Sequence, residues 1–191
     1  MNLAPATLSG RIVKLEPIGE AHRDELAEAA RDPRIWENTP LGPSFEHYFD
    51  TLLALQAAGQ QIPFAVRYVE SGRLIGGTRF MDIVAEHRRL EIGGTWYAPD
   101  YWGGLANPDA KRLLLGHAFE QAGAYRVQLL TDVRNVHSQR AIKKLGAQPE
   151  GIIRSHMVLE SGRRRDSMMF SILKEAWPSV KRRLEHRLHP P

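Results

Sequence analysis

Ala110, Leu113, Leu114, His117 and Ala118 recur at i, i+3, i+4, i+7 and i+8, the period of a helix that buries one face. Just upstream, Arg89 to Tyr97 has the character of a β-strand. Between the two lies Tyr97-Ala98-Pro99-Asp100-Tyr101-Trp102-Gly103-Gly104-Leu105-Ala106-Asn107-Pro108-Asp109-Ala110-Lys111, a strand–turn–helix join. Asn107 reads as the N-cap, Pro108 as the first helical residue and Asp109 as a first-turn acid. Such a helix start leaves N–H groups unpaired and facing outward, with the positive end of the helix dipole behind them. It suits a phosphate-bearing ligand. The plainer alternative is a βα connection whose glycines only let the chain turn.

The same patterns order the rest of the chain. Residues 1–10 read as a loose lead-in, and Arg11 to Glu16 alternates as a strand. Glu20 to Arg31 is helical and stops at Asp32-Pro33, because a residue before proline resists the helical region. Ile35 to Pro43 is a loop, after which Ser44 caps a second helix to about Ala58, ended by Gly59. Ile62 to Val69 and Leu74 to Ile83 form a hairpin around Glu70-Ser71-Gly72-Arg73. Beyond the central helix, which reaches about Ala122, Tyr125 to Thr131 is a strand. Asn135 to Leu145 is a helix with Gly146 past its end. Ile152 to Leu159 and Asp166 to Leu173 flank a second turn, Glu160-Ser161-Gly162-Arg163, and Lys174 to Leu188 is a closing helix. The mixed order, without internal repeats, predicts one α/β domain over residues 1–191 around a mixed sheet.

Composition narrows the class. A chain of 191 residues that is 42% hydrophobic and 25% charged has the make-up of one well-buried globular domain. No apolar run approaches the roughly 18 residues of a membrane span. Met1 to Gly10 lacks the basic start and apolar core of a secretory signal, so the cytoplasm is the expected location. With no cysteine, disulfides, cysteine nucleophiles and thiolate metal ligands are excluded. The net charge of +4 is partly local: from Lys174 to Pro191 five basic residues face two acidic ones. That stretch reads first as a solvated helix face and second as a surface for acidic partners or nucleic acid.

Several familiar sites are missing. There is no G-x-x-x-x-G-K-[ST] loop, no G-x-G-x-x-G after a strand, no H-E-x-x-H pair and no G-x-S-x-G elbow. No metal site is expected. Three features remain. They are the opening join; a second strand-to-helix join from Asp132 to Ala147; and two proton-transfer candidates on strands, Glu91 and His156.

Taken together these features resemble the GCN5-related N-acetyltransferase superfamily, and within it the branch of ribosomal-protein N-terminal acetyltransferases. The resemblance rests on Glu91-Ile92-Gly93, Trp102-Gly103, Asn107-Pro108-Asp109-Ala110-Lys111, Asn135-x-x-Ser138 and Lys144-Leu145-Gly146. It continues through Arg154-x-His156-Met157-Val158, the Gly162 to Asp166 hairpin, Ser171-Ile172-Leu173 and Trp177-Pro178. The fold it implies is a mostly antiparallel mixed sheet with a splayed central strand pair, flanked by helices. The co-substrate it implies is acetyl-CoA, with no metal. In that family the turn follows Q/R-x-x-G-x-G/A and wraps the pyrophosphate with backbone N–H groups. Here the positions are Trp102, Gly103, Gly104, Leu105, Ala106 and Asn107, which depart from the pattern at the first, fourth and sixth.

The resemblance further implies that the backbone of Thr95, Trp96 and Tyr97 pairs with the pantetheine amides. Splayed strands open that slot, helped by a bulge at Gly93-Gly94. Asn135 is expected to bond the pantetheine arm or acetyl group, or to serve as an N-cap, or both. Direct transfer to an amine needs a base, a polarised carbonyl and a proton for the thiolate. The N–H near Tyr97 is the oxyanion donor by resemblance. Ser138, one helical turn after Asn135, is the candidate acid, or else an ordinary surface residue. Glu91 is the first candidate base and His156 the second. Trp36 is either a wall of the acceptor site or a core anchor.

Two readings follow. One is an acetyl-CoA-dependent N-acetyltransferase whose acceptor is a protein N-terminus, an amino acid or a small amine, with a homodimer expected from family habit and neither membrane nor nucleic acid as partner. The other is a non-catalytic CoA-binding or ribosome-associated module. Acceptor choice is expected to lie in Trp36 to Pro43 and in the second hairpin.

Overall fold

The structure is a computed structural model and describes residues 1–37, 42–159 and 161–189. Part of the expected acceptor loop, residues 38–41, and Glu160 of the second turn lie outside the described residues. The strands are β1 Leu8–Ser9, β2 Val13–Pro17, β3 Ile62–Tyr68, β4 Leu74–Val84, β5 Arg89–Tyr97, β6 Arg126–Asp132, β7 Gln148–Val158 and β8 Arg164–Leu173. The helices are α1 Arg23–Ala29, α2 Phe45–Ala57, α3 Ala106–Gly116, α4 Val136–Leu145 and α5 Trp177–Leu188. Eight strands form one sheet in the order β1-β2-β3-β4-β5-β6-β8-β7. Among the described residues, only β5 and β6 pair in parallel. Among the described residues, no helix is long and apolar enough to cross a membrane.

Each face of the sheet buries its own apolar set. One face packs Val13, Phe64, Phe80, Leu90, Ile92 and Tyr97 under α3, α4 and α5. The other packs Leu74 and Trp96 under α1 and α2. The closing helix turns Trp177, Val180, Leu184 and Leu188 inward, so its basic residues take the outer face. Lys181 there pairs with Glu120, 2.9 Å away. The solvated-face reading of the basic tail thus accounts for this geometry.

Two features of the sheet make the site. Gly77 pairs with Trp96 and Arg79 with Gly93, so one span of β5 holds one residue more than its β4 partner. That is a bulge at the glycine pair, and Gly94 takes φ +54° there, a left-handed value that suits glycine. The extra residue reverses the side-chain alternation. Ile92 and Tyr97 therefore share one core, while Glu91 points to the opposite face with Trp96. The second feature is a parting of strands. β5 and β6 pair only at Arg89↔Arg126, Leu90↔Val127 and Glu91↔Gln128, yet run on to Tyr97 and Asp132. A wedge opens beyond Glu91.

Several local expectations need correction. The lead-in is not all loose: Leu8 and Ser9 pair with Leu15 and Lys14. β7 starts at Gln148 rather than Ile152, and β8 at Arg164 rather than Asp166, because cross-strand pairing carries polar residues into both strands. Asn107 is not the N-cap of α3. Leu105 holds that position, placing Asn107 and Pro108 inside the first turn. The signal misled because Pro is tolerated anywhere in a first turn, where an intrahelical N–H bond is not yet needed.

Candidate active site

The turn from β5 into α3 exposes a row of donors. Among the described residues, the N–H groups of Gly103, Gly104, Leu105, Ala106 and Asn107 find no acceptor in the protein. The first helical bond is Asp109 N–H to the Leu105 carbonyl, 3.1 Å. Pro108 has no N–H to lose. Gly103 has φ +75°, and a Cβ there would meet open space, so glycine answers a backbone need. Leu105 sits at φ −90°, ψ −7°, which any residue adopts. Five consecutive free N–H groups at a helix start form an anion cradle.

Asp109, the first-turn acid, faces away from this row of N–H groups. It is fully buried and accepts the N–H groups of Ile12 at 2.7 Å and Val13 at 3.1 Å, with Arg112 at 3.0 Å. Gly10 presses against it, and a Cβ there would strike the carboxylate. The acid therefore ties the start of α3 to the approach of β2, leaving the cradle free of its charge.

The edge of β5 supplies the second part. Ala98 N–H donates to the Ile75 carbonyl on β4, 2.8 Å. Alternation then turns the N–H and C=O of Tyr97 away from β4 toward the wedge, and those of Thr95 likewise. The Tyr97 carbonyl is taken by the Trp102 indole N–H at 2.7 Å. Trp102, at the position where the family pattern has Gln or Arg, thus fastens the turn to the strand end. Its Tyr97 partner keeps a free N–H. The Trp96 side chain leaves the wedge for the opposite core and donates to the Tyr48 hydroxyl, 3.1 Å.

Glu91 lies where β5 and β6 part. It is buried and accepts from Gln128 Nε2 at 3.3 Å, and Gln128 also donates to Asp82 at 2.9 Å. Burial pushes the Glu91 carboxyl above the ordinary carboxylate range; the Gln128 bond opposes this and the Asp82 charge adds to it. Its Oε1 occupies the space beside Gly93, where a Cβ would come within 2.8 Å. An aromatic group packs on the same face of the sheet. Trp36 packs at 5.4 Å from Tyr48 and 5.3 Å from Trp96, ring centre to ring centre, and its N–H is held by the Ala30 carbonyl at 2.9 Å.

At the far lip of the wedge, Asn135 caps α4: its Oδ1 accepts the Ser138 N–H at 2.9 Å. The N-cap half of the Asn135 expectation is therefore seen. The Ser138 side chain stands in the first turn, half-buried. Among the described residues, His156 and Glu91 share no hydrogen bond. The His156 Nδ1 lies 3.0 Å from Ser167 Oγ, and Ser167 pairs with Asp132 as Ser171 pairs with Gln128. That places the Ser167 backbone two strands over and four residues along from Glu91.

An acetyltransferase (GNAT) domain model matches residues 13–148. The chain belongs to the GNAT acetyltransferase family. Of the two readings open in the sequence, the enzyme is the one that stands. Among curated proteins it is 27% identical over 124 residues to the N-acetyltransferase YoaA of Bacillus subtilis (strain 168), itself uncharacterized, a match spanning 65% of this chain and 69% of that protein. A crystal structure from T. thermophilus, provisionally assigned as an acetyltransferase, superposes with TM-score 0.87 at 38% identity, covering 99% of this chain and 100% of the other. A GCN5-related N-acetyltransferase from Brucella melitensis superposes with TM-score 0.88 at 28% identity, covering 98% and 87%. Mycobacterium smegmatis RimJ, solved in complex with CoA-disulfide, shares the fold at TM-score 0.81 and 20% identity, over 95% and 94% of the two chains.

For this GNAT enzyme, sequence motifs singled out none of Gln128, Arg79 and Arg165, and they named Lys111 only as part of the Asn107–Lys111 motif, not as a buried group. Lys111 is 5% exposed and donates to Thr95 Oγ1 at 2.7 Å, which in turn lies 2.8 Å from Thr78 Oγ1. Burial pulls its ammonium down to about 7. A lysine within an apolar helical face, one turn after Asn107, was the available signal.

Proposed function

We propose that this enzyme moves the acetyl group of acetyl-CoA directly to a primary amine, held together with the thioester in one complex. The observation that carries the reading is the juxtaposition of three things along β5: a five-member N–H cradle, an unpaired strand edge and a buried carboxylate. The fit is specific in kind. A pyrophosphate needs outward N–H groups, which Gly103 to Asn107 supply. Pantetheine amides need a free strand edge, which Thr95 and Tyr97 supply beyond the last β5–β6 pair.

In this reading Glu91, directly or through water, takes the proton of the attacking amine, whose nitrogen bonds to the carbonyl carbon as the carbon–sulfur bond breaks. A raised carboxyl pKa improves its match to that task. The free N–H of Tyr97 steadies the developing oxyanion. Ser138 returns a proton to the departing thiolate, and Asn135 adds a hydrogen bond to the pantetheine arm. His156, held on Ser167, serves the acceptor side of the sheet rather than the first proton transfer. Trp36 walls the acceptor. The absence of cysteine suits direct attack over an acyl-enzyme.

Calorimetric titration with acetyl-CoA and a thiol-release screen test this. The screen uses free amino acids, polyamines and peptides beginning with Ala or Ser. Saturable binding with amine-dependent release is expected. Binding without release on any amine, unchanged in Glu91→Gln, would overturn the catalytic roles.

A further inference from the structure

On the face of the sheet where Glu91 points, two arginines have no partner among the described residues. Arg79 on β4 lies across the bulge, where a Cβ on Gly94 would strike Nε and stand 2.9 Å from Cζ and 3.0 Å from Nη2. Glu91 lies across the preceding glycine in the same manner. The guanidinium and the carboxylate thus sit over consecutive α-carbons, with Trp96 and Tyr48 lining the same small cavity as Arg79. Arg165 on β8 approaches from the other side, within electrostatic reach of Glu91 and Asp132.

Among the described residues, neither arginine donates a hydrogen bond or joins an ion pair, and the Nε of each is shut off from solvent without an acceptor. The surrounding arginines differ. Arg67, Arg89, Arg126 and Arg163 each hold a carboxylate. The nearby acids are already engaged as well. Asp132 is bound by Arg163 and by the N–H of Arg134, Asp82 by Arg89 and Gln128, and Glu91 by Gln128. A half-buried guanidinium with spare donors beside a wedge is costly unless an anion completes it.

We propose that Arg79, seconded by Arg165, binds a carboxylate on the acceptor, so that the amine acetylated by this enzyme carries an acid group beside it. This rests on the acetyl-transfer reading above and sharpens its acceptor. Arg79 holds the acid while Glu91, one glycine along, receives the amine proton. The acid has two sources of one chemistry: the α-carboxylate of a free amino acid, or an Asp or Glu side chain near a peptide N-terminus.

Matched pairs test it. One arm compares L-alanine and L-phenylalanine with their carboxamides; the other compares Ser-Glu-Ala-amide with Ser-Gln-Ala-amide. The acid member is expected to exceed the amide at least tenfold in kcat/KM in one arm, and that arm identifies the source. Arg79→Gln is expected to cut the ratio below threefold while KM for acetyl-CoA stays within twofold, with Arg79→Lys retaining part of the ratio. Arg165→Gln provides an independent variant if Arg79→Gln fails to fold. Equal rates for acids and amides in both arms, or a ratio that survives both glutamine variants, overturns the proposal. Should no member of either arm turn over, titration of the CoA complex with the same pairs decides it: equal binding of acid and amide overturns it. Failure to bind CoA at all instead brings down the reading beneath it.

Discussion

Asp109 Oδ2 accepts the backbone N–H of Ile12 at 2.7 Å, so a buried acid on α3 closes a turn nearly a hundred residues earlier in the chain. Removing it leaves two N–H groups and the Arg112 guanidinium without their acceptor. Asp109→Ala is expected to cost about 3–5 kcal/mol, the range for breaking a buried ion pair. Gly10→Ala, which drives a methyl into the same carboxylate, is expected to cost about 1–3 kcal/mol. Urea unfolding reads both. A loss under about 0.5 kcal/mol for Asp109→Ala would show that the contact does not anchor the turn.

In the proposed reading the cradle binds through N–H groups, so glycine at position 105 is expected to be dispensable. Leu105→Gly is expected to change acetyl-CoA affinity less than threefold by calorimetry, since φ −90° is open to every residue. A tenfold gain would mean that the leucine side chain obstructs the ligand.

In the proposed mechanism, Glu91 as base gives the reaction a pH signature. Its folded pKa lies above the ordinary 4.5, chiefly through burial, so the ionised base accumulates only as pH rises through that higher value. The acid limb of kcat/KM is expected to fall on the neutral side of an ordinary carboxylate. Glu91→Gln is expected to abolish the limb and lower kcat by about 10²–10⁴-fold. An unchanged limb in the variant would assign it to another group.

Lys111 gives the opposite linkage. Its pKa falls from 10.5 unfolded to about 7 folded, because burial disfavours the ammonium. Between those values the unfolded chain binds the extra proton, so folding stability rises with pH from about 7 toward 10.5 and the penalty is greatest below about 7. Lys111→Met is expected to remove that slope, measured as denaturation midpoint against pH. A slope identical to the parent's would place the titration elsewhere.

Most of the fold was legible because it rests on local signals. Ser44, Gly59 and Gly146 stand at the helix ends where capping chemistry puts them. The Gly93-Gly94 pair signalled a bulge, since two glycines in a strand forgo side-chain packing that only a backbone irregularity or close approach repays. The site was less legible. Whether Glu91 shares a side with Tyr97 turned on one inserted residue, which flips every side chain beyond it. The partners of Asp109 and the isolation of Arg79 depend on contacts between distant segments, and no local period encodes those. Asn107 misled for the reverse reason: Asn-Pro is a strong local cap signal, and the turn before it extends the helix by two residues, to Ala106.

The parting of β5 from β6 leaves a folded protein whose sheet is one element short. Its Tyr97 N–H and the cradle above it are donors awaiting acceptors from outside the chain. In the reading proposed here, a diffusible thioester completes the architecture, and thermal endurance becomes a gauge of how much of it is present. At a ligand concentration about a hundred times the dissociation constant, that contribution is about 2.7 kcal/mol.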